Sequence, residues 1–127
     1  MAELKKKILI IEDEADIVNI TRFRLQKWGY EVIVATDGKT GIDYAREHRP
    51  DLIFLDLGLP VISGHDVCKT IKADPNVQTV PIILFTASTD RIKRELRELQ
   101  VEDYIVKPFE PEELKSKVEK LCACKHS

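Results

Sequence analysis

The stretch that decides the fold is Asp51-Leu52-Ile53-Phe54-Leu55-Asp56-Leu57-Gly58-Leu59-Pro60. Its apolar residues 52–55 follow one another without the alternation of a half-exposed strand. A strand that is covered on both faces has this pattern, and such strands are usually parallel. The run ends at Asp56, so the sequence predicts a buried parallel strand with a carboxylate at its carboxyl end.

Four similar aliphatic runs and five stretches of helical periodicity surround this strand. The runs lie at residues 7–11, 32–35, 81–85 and 104–106. The helical stretches carry their apolar residues at 17–28, 42–45, 67–71, 92–99 and 114–122. Strand alternating with helix predicts right-handed crossovers and a doubly wound α/β fold, in which a five-stranded parallel sheet has helices on both faces. The length of 127 residues fits one domain, expected over residues 1–127.

Composition excludes several classes of protein. The net charge of −2 argues against a broad nucleic-acid interface, which needs many basic side chains. No apolar run approaches the ~18 residues of a membrane span. Three cysteines without a framework spacing fit a reducing compartment. We expect a cytoplasmic protein that contacts neither nucleic acid nor membrane directly.

The residues that follow each aliphatic run are informative, because ligands of open α/β sheets bind at the carboxyl ends of the strands. Polar or charged groups follow four of the runs; they are Glu12-Asp13-Glu14, Asp56, Thr86 and Lys107-Pro108. The second run ends in Thr36-Asp37-Gly38, which has the composition of an ordinary turn. If the second strand takes no part in the site, it belongs at the sheet edge. The predicted strand order is then 2-1-3-4-5.

The charges at these strand ends predict a metal and a phosphoryl group. Glu12, Asp13 and Asp56 would repel one another in a crevice of reduced dielectric constant. Carboxylate oxygens select a hard cation, and a site with few carboxylates suits Mg²⁺. Lys107 and the hydroxyl group of Thr86, placed opposite the metal, could bind the oxygens of a phosphoryl group. A carboxylate can itself accept that group as an acyl phosphate.

Four motifs carry a resemblance to a known family. They are Ile10-Ile11-Glu12-Asp13-Glu14, the stretch Asp51 to Pro60 with Gly64 beyond it, Phe85-Thr86-Ala87, and Asp103-Tyr104-Ile105-Val106-Lys107-Pro108-Phe109. One motif alone would be weak, but all four in this order are specific. The chain resembles the receiver domain of two-component response regulators over essentially its full length. The resemblance implies a flavodoxin-like (βα)5 fold with the same strand order.

The resemblance also implies a role for each site residue. Asp56 would accept a phosphoryl group from a sensor histidine kinase or a histidine phosphotransfer protein. Asp13, Asp56 and the backbone carbonyl of Gly58 would bind Mg²⁺, with Glu12 acting mainly through water. Lys107 would pair with the phosphoryl oxygens.

The same resemblance implies a switch. Thr86 would move to the phosphoryl group, and Tyr104 would turn inward into the space that it leaves. The surface formed by the fourth helix, fifth strand and fifth helix would then change, bind a downstream protein and allow a homodimer. Such a protein assists its own phosphorylation and dephosphorylation without being a conventional enzyme. Lys107-Pro108 is a candidate cis peptide.

Several features leave alternatives open. Gln100-Val101 stands where the family often has Gly-Ala, so we expect an unusual turn after the fourth helix. The basic stripe, defined as Arg91, Lys93, Arg94 and Arg97, is either a solvated face or a contact for acids, including Glu102-Asp103 of a second copy. Cys122, Cys124 and His126 favour packed or exposed thiols over a structural metal. His48 and His65 are expected at the surface without a catalytic partner.

Three other functions compete with a stand-alone receiver. An aspartyl-phosphate phosphatase of the haloacid-dehalogenase kind needs a second aspartate two residues after the first, where this chain has Gly58. A flavodoxin-like electron carrier needs a phosphate loop after the first strand, where Glu12-Asp13-Glu14 would repel a flavin phosphate. A receiver that belongs to a longer regulator, with a DNA-binding or enzymatic output domain, has the same sequence features.

Overall fold

The structure is a computed structural model and describes residues 5–90 and 92–124. Five strands alternate with five helices along these residues. In chain order they are β1 (Lys7–Ile11), α1 (Ala15–Lys27), β2 (Glu31–Ala35), α2 (Gly38–His48), β3 (Leu52–Asp56), α3 (Gly64–Ala73), β4 (Ile82–Thr86), α4 (Ile92–Leu99), β5 (Asp103–Val106) and α5 (Pro111–Cys124). The predicted alternation is confirmed.

All neighbouring strands pair in parallel, and the sheet order is β2-β1-β3-β4-β5. The predicted doubly wound sheet is therefore confirmed, with β2 at the edge. The turn after β2 has a local role, because the Asp37 carboxylate accepts a hydrogen bond from the backbone N–H of Thr40 at 2.8 Å and caps α2.

Two apolar cores lie on opposite faces of the sheet. Alternate residues of β1 enter each of them: Leu9 and Ile11 join one, and Ile8 and Ile10 join the other. Every residue of β3 is buried, because this strand lies at the centre and is covered on both faces. No helix among residues 5–90 and 92–124 is long and apolar enough to cross a membrane.

The turn after α4 is unusual, as expected from its sequence. Gln100 has a φ of 56°, a left-handed conformation that glycine adopts without steric cost. Lys107-Pro108 is a cis peptide. Cys122 is buried in the core, and the side chain of Cys124 and all of His126 lie outside the described residues.

Val61, in the loop between β3 and α3, is the clearest strained position. Its φ is 67° and its side chain is fully exposed, so a β-branched residue holds a left-handed conformation without compensating burial. We expect Val61→Gly to raise the free energy of unfolding by about 1 kcal/mol. Urea unfolding measures the change. The control Val61→Ala keeps a Cβ atom and should gain little, and an equal gain in both variants would contradict the strain.

Candidate functional site

The strand register brings the polar strand ends to one level of the sheet. Ile11 pairs with Leu55, which places Glu12 beside Asp56. Thr86 pairs with Val106, so Lys107 follows at the same edge. A cavity of about 420 Å³ opens there, and its lining includes Asp13, Asp56, Gly58, Thr86 and Lys107. We call it the acidic cavity.

Three carboxylates meet beside this cavity. Oxygen atoms of Glu12, Asp13 and Asp56 all lie within 4.8 Å of one another. Asp13 is exposed, Asp56 is 5% exposed and Glu12 is completely buried. Such a set of hard oxygen donors fits Mg²⁺ by its chemistry.

Both carboxylate oxygens of Glu12 accept hydrogen bonds from other groups of the protein. One oxygen, Oε2, accepts the backbone N–H groups of Asp13 at 3.1 Å and Glu14 at 3.2 Å. The other, Oε1, accepts a hydrogen bond from Nζ of Lys107 at 3.0 Å. Because these bonds fix Glu12, it is better suited to shape the site than to move onto an ion.

Lys107 provides the positive charge of the site. Its Nζ lies 3.0 Å from Oε1 of Glu12, 2.9 Å from Oε1 of Glu14 and 3.6 Å from Oδ1 of Asp56. Burial lowers the pKa of Lys107, but the hydrogen bonds to Glu14 and Glu12 and the charge of Asp56 outweigh it and raise that pKa. The ammonium group is therefore cationic at neutral pH. The contact with Glu14 was not predicted from the sequence.

Glu12 holds a proton at unusually high pH. Burial and a shared hydrogen bond with Asp56 raise the pKa of Glu12 from 4.5 to about 7, although the hydrogen bond from Lys107 opposes the shift. One lysine thus compensates the neighbouring carboxylates only in part. A dication would relieve the remaining repulsion.

Thr86 lines the acidic cavity, with its hydroxyl group bound to the loop that follows β4. The hydroxyl donates to the backbone carbonyl of Ser88 at 2.8 Å and accepts the Ser88 N–H at 3.2 Å. The backbone N–H of Gly58 binds Oδ1 of Asp56 at 2.9 Å and fixes the carboxylate at the end of β3.

Tyr104 is not among the residues that line the acidic cavity. Nζ of Lys117, from α5, lies 4.7 Å from the centre of its ring, and Lys117 also donates to the Tyr104 carbonyl. The ring borders a different cavity of about 590 Å³, shared with Lys93 and Arg97 of the basic stripe. The structure therefore places Tyr104 on the face of α4, β5 and α5.

Glu102 and Asp103, the acids that the sequence offers as contacts for the basic stripe of a second copy, have partners within the chain. Glu102 accepts the backbone N–H of Ile82 at 2.8 Å, and Asp103 pairs with Lys117 at 3.0 Å. Within the stripe, Arg94 pairs with Glu98 at 2.9 Å. Arg91 lies outside the described residues.

His65 is partly exposed, as expected, and a contact that the sequence did not predict links it to Glu95. His65 lines the acidic cavity together with Glu95, and its Nε2 lies 3.5 Å from Oε2 of that residue. The pair joins α3 to α4, so no local sequence signal could show it. His48 instead packs its ring against Tyr44 at the end of α2.

Comparisons with known proteins agree with this geometry. A family model described as the response regulator receiver domain matches residues 8–119. The transcriptional regulatory protein PhoP for alkaline phosphatase synthesis of Bacillus subtilis is 38% identical over 116 residues, which cover 91% of this chain and 48% of PhoP. The DNA-binding response regulator MtrA of Mycobacterium tuberculosis is 39% identical over 119 residues, which cover 93% of this chain and 51% of MtrA. The chain thus spans about half the length of these curated relatives.

Solved structures give the same result. Chemotaxis protein CheY4 of Vibrio cholerae has a TM-score of 0.87 at 29% identity, covering 93% of this chain and 99% of its own. The receiver domain of sensor histidine kinase PA1611 from Pseudomonas aeruginosa has a TM-score of 0.87 at 30% identity. The match covers 94% of this chain and 99% of that receiver domain. In that second protein a magnesium ion is coordinated in the active site cleft.

Proposed function

The chain belongs to the response regulator receiver family, and on that premise we propose that Asp56 is the residue that accepts a phosphoryl group. One observation carries the proposal. The Asp56 carboxylate borders the acidic cavity, 3.6 Å from Nζ of Lys107 and within 4.8 Å of carboxylate oxygens of Glu12 and Asp13. Such a carboxylate can take up a charged phosphoryl group once Lys107 and a bound dication offset the negative charges around it.

The residues at the cavity fit Mg²⁺. Asp13 and Asp56, with the backbone carbonyl of Gly58, would hold the ion, and Glu12 would act mainly through water. When bound, the ion neutralises charge on the phosphoryl oxygens and on the carboxylates.

The chain's own residues supply the remaining chemistry. An oxygen of Asp56 attacks the phosphorus of a phosphohistidine, the P–N bond breaks, and its electron pair returns to the imidazole of the donor. Lys107, which already faces Asp56, pairs with the incoming oxygens. The hydroxyl group of Thr86 can donate a hydrogen bond to the phosphoryl group only if it first gives up its hydrogen bond to the carbonyl of Ser88. Tyr104 has a role in the response on the α4, β5 and α5 face, not at the reacting atoms.

Partners follow from the same proposal. A sensor histidine kinase or a histidine phosphotransfer protein supplies the phosphoryl group. A downstream protein, or a second copy of the chain, binds the face formed by α4, β5 and α5. The absence of nucleic-acid contact stays a prediction, since the relative MtrA is named as DNA-binding. A receiver that is part of a longer regulator stays the main alternative.

The decisive experiment is incubation of the protein with acetyl phosphate, with and without Mg²⁺, followed by intact mass spectrometry. We expect a gain of one phosphoryl group only when the metal is present. Steady release of phosphate from unrelated phosphate esters would favour the phosphatase alternative, and no gain of mass in either condition would contradict the proposal.

The raised pKa of Glu12 makes the effect of Mg²⁺ on stability depend on pH. The folded protein keeps a proton on Glu12 up to about pH 7, whereas the unfolded chain loses it near pH 4.5. This contribution to stability is complete below pH 4.5 and is lost as the pH rises through about 7. Above about pH 7, where Glu12 has lost its proton, a bound metal ion would offset the negative charge of the carboxylates. We expect Mg²⁺ to stabilise the protein more at about pH 8 than at about pH 6, by on the order of 1 kcal/mol, because only one proton is released between these two pH values.

Thermal unfolding at the two pH values, with and without Mg²⁺, measures this difference. The variant Asp13→Asn, which lacks a proposed ligand, is the control and should respond weakly to the metal at both pH values. Equal stabilisation of the unaltered protein at the two pH values would contradict the linkage.

A further inference from the structure

A histidine and a glutamate on different helices share the cavity of the proposed phosphoacceptor. His65 lies in the first turn of α3, and Glu95 lies in the first turn of α4. Both line the acidic cavity with Asp56. Neither residue has a part in the transfer of the phosphoryl group to Asp56 described above.

Backbone contact fixes His65 close to the end of β3. The preceding residue, Gly64, packs so tightly that a Cβ atom there would lie 2.3 Å from the carbonyl oxygen of Asp56 and 2.6 Å from Cα of Leu57. Ser63 caps the helix by accepting the N–H of Asp66 at 3.1 Å. The first turn of α3 therefore has little freedom to move away from Asp56.

Glu95 has a buried oxygen that lacks a hydrogen-bond partner. Its Oε2 is inaccessible to solvent and accepts no hydrogen bond within residues 5–90 and 92–124. Nε2 of His65 lies 3.5 Å away, the one cationic or potentially cationic nitrogen paired with it among those residues. A buried carboxylate oxygen without a donor is costly, so this geometry favours a proton on Nε2. In a neutral imidazole of this tautomer the other ring nitrogen, Nδ1, carries no proton and can act as a base.

We propose that His65 is a general base for hydrolysis of the aspartyl phosphate at Asp56, and that Glu95 is the positioning residue that orients it. The proposal rests on the proposed function. His65 takes a proton from a water molecule as the water oxygen attacks phosphorus. The bond between phosphorus and the Asp56 oxygen breaks, and its electron pair returns to the carboxylate. The products are inorganic phosphate, free Asp56 and a proton that His65 releases to solvent.

The reaction should depend on pH, because an imidazole acts as a base only in its neutral form. The other charged groups facing the cavity are Asp13 and Glu14 after β1, Asp56 on β3, Glu95 on α4 and Lys107 after β5. Glu12, beneath them, also titrates near pH 7 in the absence of metal. Comparison of variants in excess Mg²⁺, rather than one pH profile, therefore isolates His65.

The test follows loss of the phosphoryl group. The protein is labelled with acetyl phosphate and Mg²⁺, the donor is removed by rapid desalting, and intact mass is recorded over time in excess Mg²⁺ between about pH 5.5 and 8.5. Rates for the unaltered protein, His65→Leu, His65→Gln and Glu95→Gln are compared. His48→Leu is the matched control, because it makes the same substitution at a histidine that does not line the cavity.

We expect the unaltered protein and the control to hydrolyse faster as the pH rises. His65→Leu should slow hydrolysis by about 100-fold and remove this part of the pH dependence. Glu95→Gln should slow it by a smaller factor, on the order of tenfold, and leave hydrolysis dependent on pH, because the imidazole is still present. His65→Gln keeps a polar side chain and provides the test if the leucine variant does not fold.

Three outcomes overturn the proposal. Hydrolysis by the His65 variants within about threefold of the unaltered rate shows that no base acts there. Equal slowing at every pH, with the profile preserved, shows a structural contact between α3 and α4. Failure of the unaltered protein to gain a phosphoryl group overturns the proposed function as well, and that result is seen before any hydrolysis is measured.

Discussion

The variant Asp56→Asn is expected to gain no phosphoryl group from acetyl phosphate in the presence of Mg²⁺, whereas the unaltered protein gains one. The asparagine side chain has almost the same shape, and its carbonyl oxygen can still accept the N–H of Gly58 that Asp56 accepts at 2.9 Å. Its amide is not a nucleophile toward phosphorus at neutral pH, and it carries no charge to help hold the metal. Intact mass after a fixed incubation measures the loss of labelling.

The stability of the Asp56→Asn variant shows whether labelling is lost because the acceptor is missing or because the protein is unfolded. Asp56 is nearly buried beside Glu12, and the two share a hydrogen bond that raises the pKa of Glu12. Removing the charge at position 56 relieves repulsion, so the variant should be at least as stable as the unaltered protein without metal. Asp43→Asn, at an exposed aspartate of α2, is the matched control and should label normally. Undiminished labelling of the Asp56 variant would mean that another residue is the acceptor.

The convergence of the strand ends was predictable because parallel strands present their carboxyl ends at one edge. Aliphatic runs locate the strands, and the residue after four of the five runs lies at the site, which accounts for Asp56, Glu12 and Lys107. The unusual turn at Gln100 was also predictable, since a residue other than glycine stands where a left-handed conformation is needed.

Contacts between helices were beyond such reasoning. His65 and Glu95 meet only because α3 and α4 pack side by side, and their distance of 3.5 Å depends on helix orientation and on side-chain rotamers. The link between Glu14 and Lys107 is similar, because an exposed loop residue reaches across the cavity to a second loop. Neither alternation nor helical periodicity in a sequence encodes these approaches.

Replacement of Lys107 by methionine should strongly destabilise the metal-free protein at about pH 8. Methionine keeps an unbranched apolar stem of similar length but removes the ammonium group that contacts Glu12, Glu14 and Asp56. Completely buried Glu12 would then carry its charge without a cationic partner. Removal of one partner from a buried ion pair costs about 3–5 kcal/mol, and we expect a loss on the order of 3 kcal/mol, measured by urea unfolding.

Measurements at two pH values, with and without Mg²⁺, show whether the loss of stability in the Lys107 variant comes from charge or from packing. Without Lys107 the pKa of Glu12 should rise above about 7, because the hydrogen bond from Lys107 lowers it in the unaltered protein. At about pH 6 Glu12 then takes up a proton, and the loss of stability should be smaller than at about pH 8. Mg²⁺ should also restore part of the stability at the higher pH.

Lys39→Met, at an exposed ion pair with Asp43, is the control and should change stability by less than about 1 kcal/mol. An equal loss at both pH values, unaffected by metal, would show that Lys107 acts through the packing of its aliphatic stem, and the electrostatic account of the acidic cavity would then be wrong.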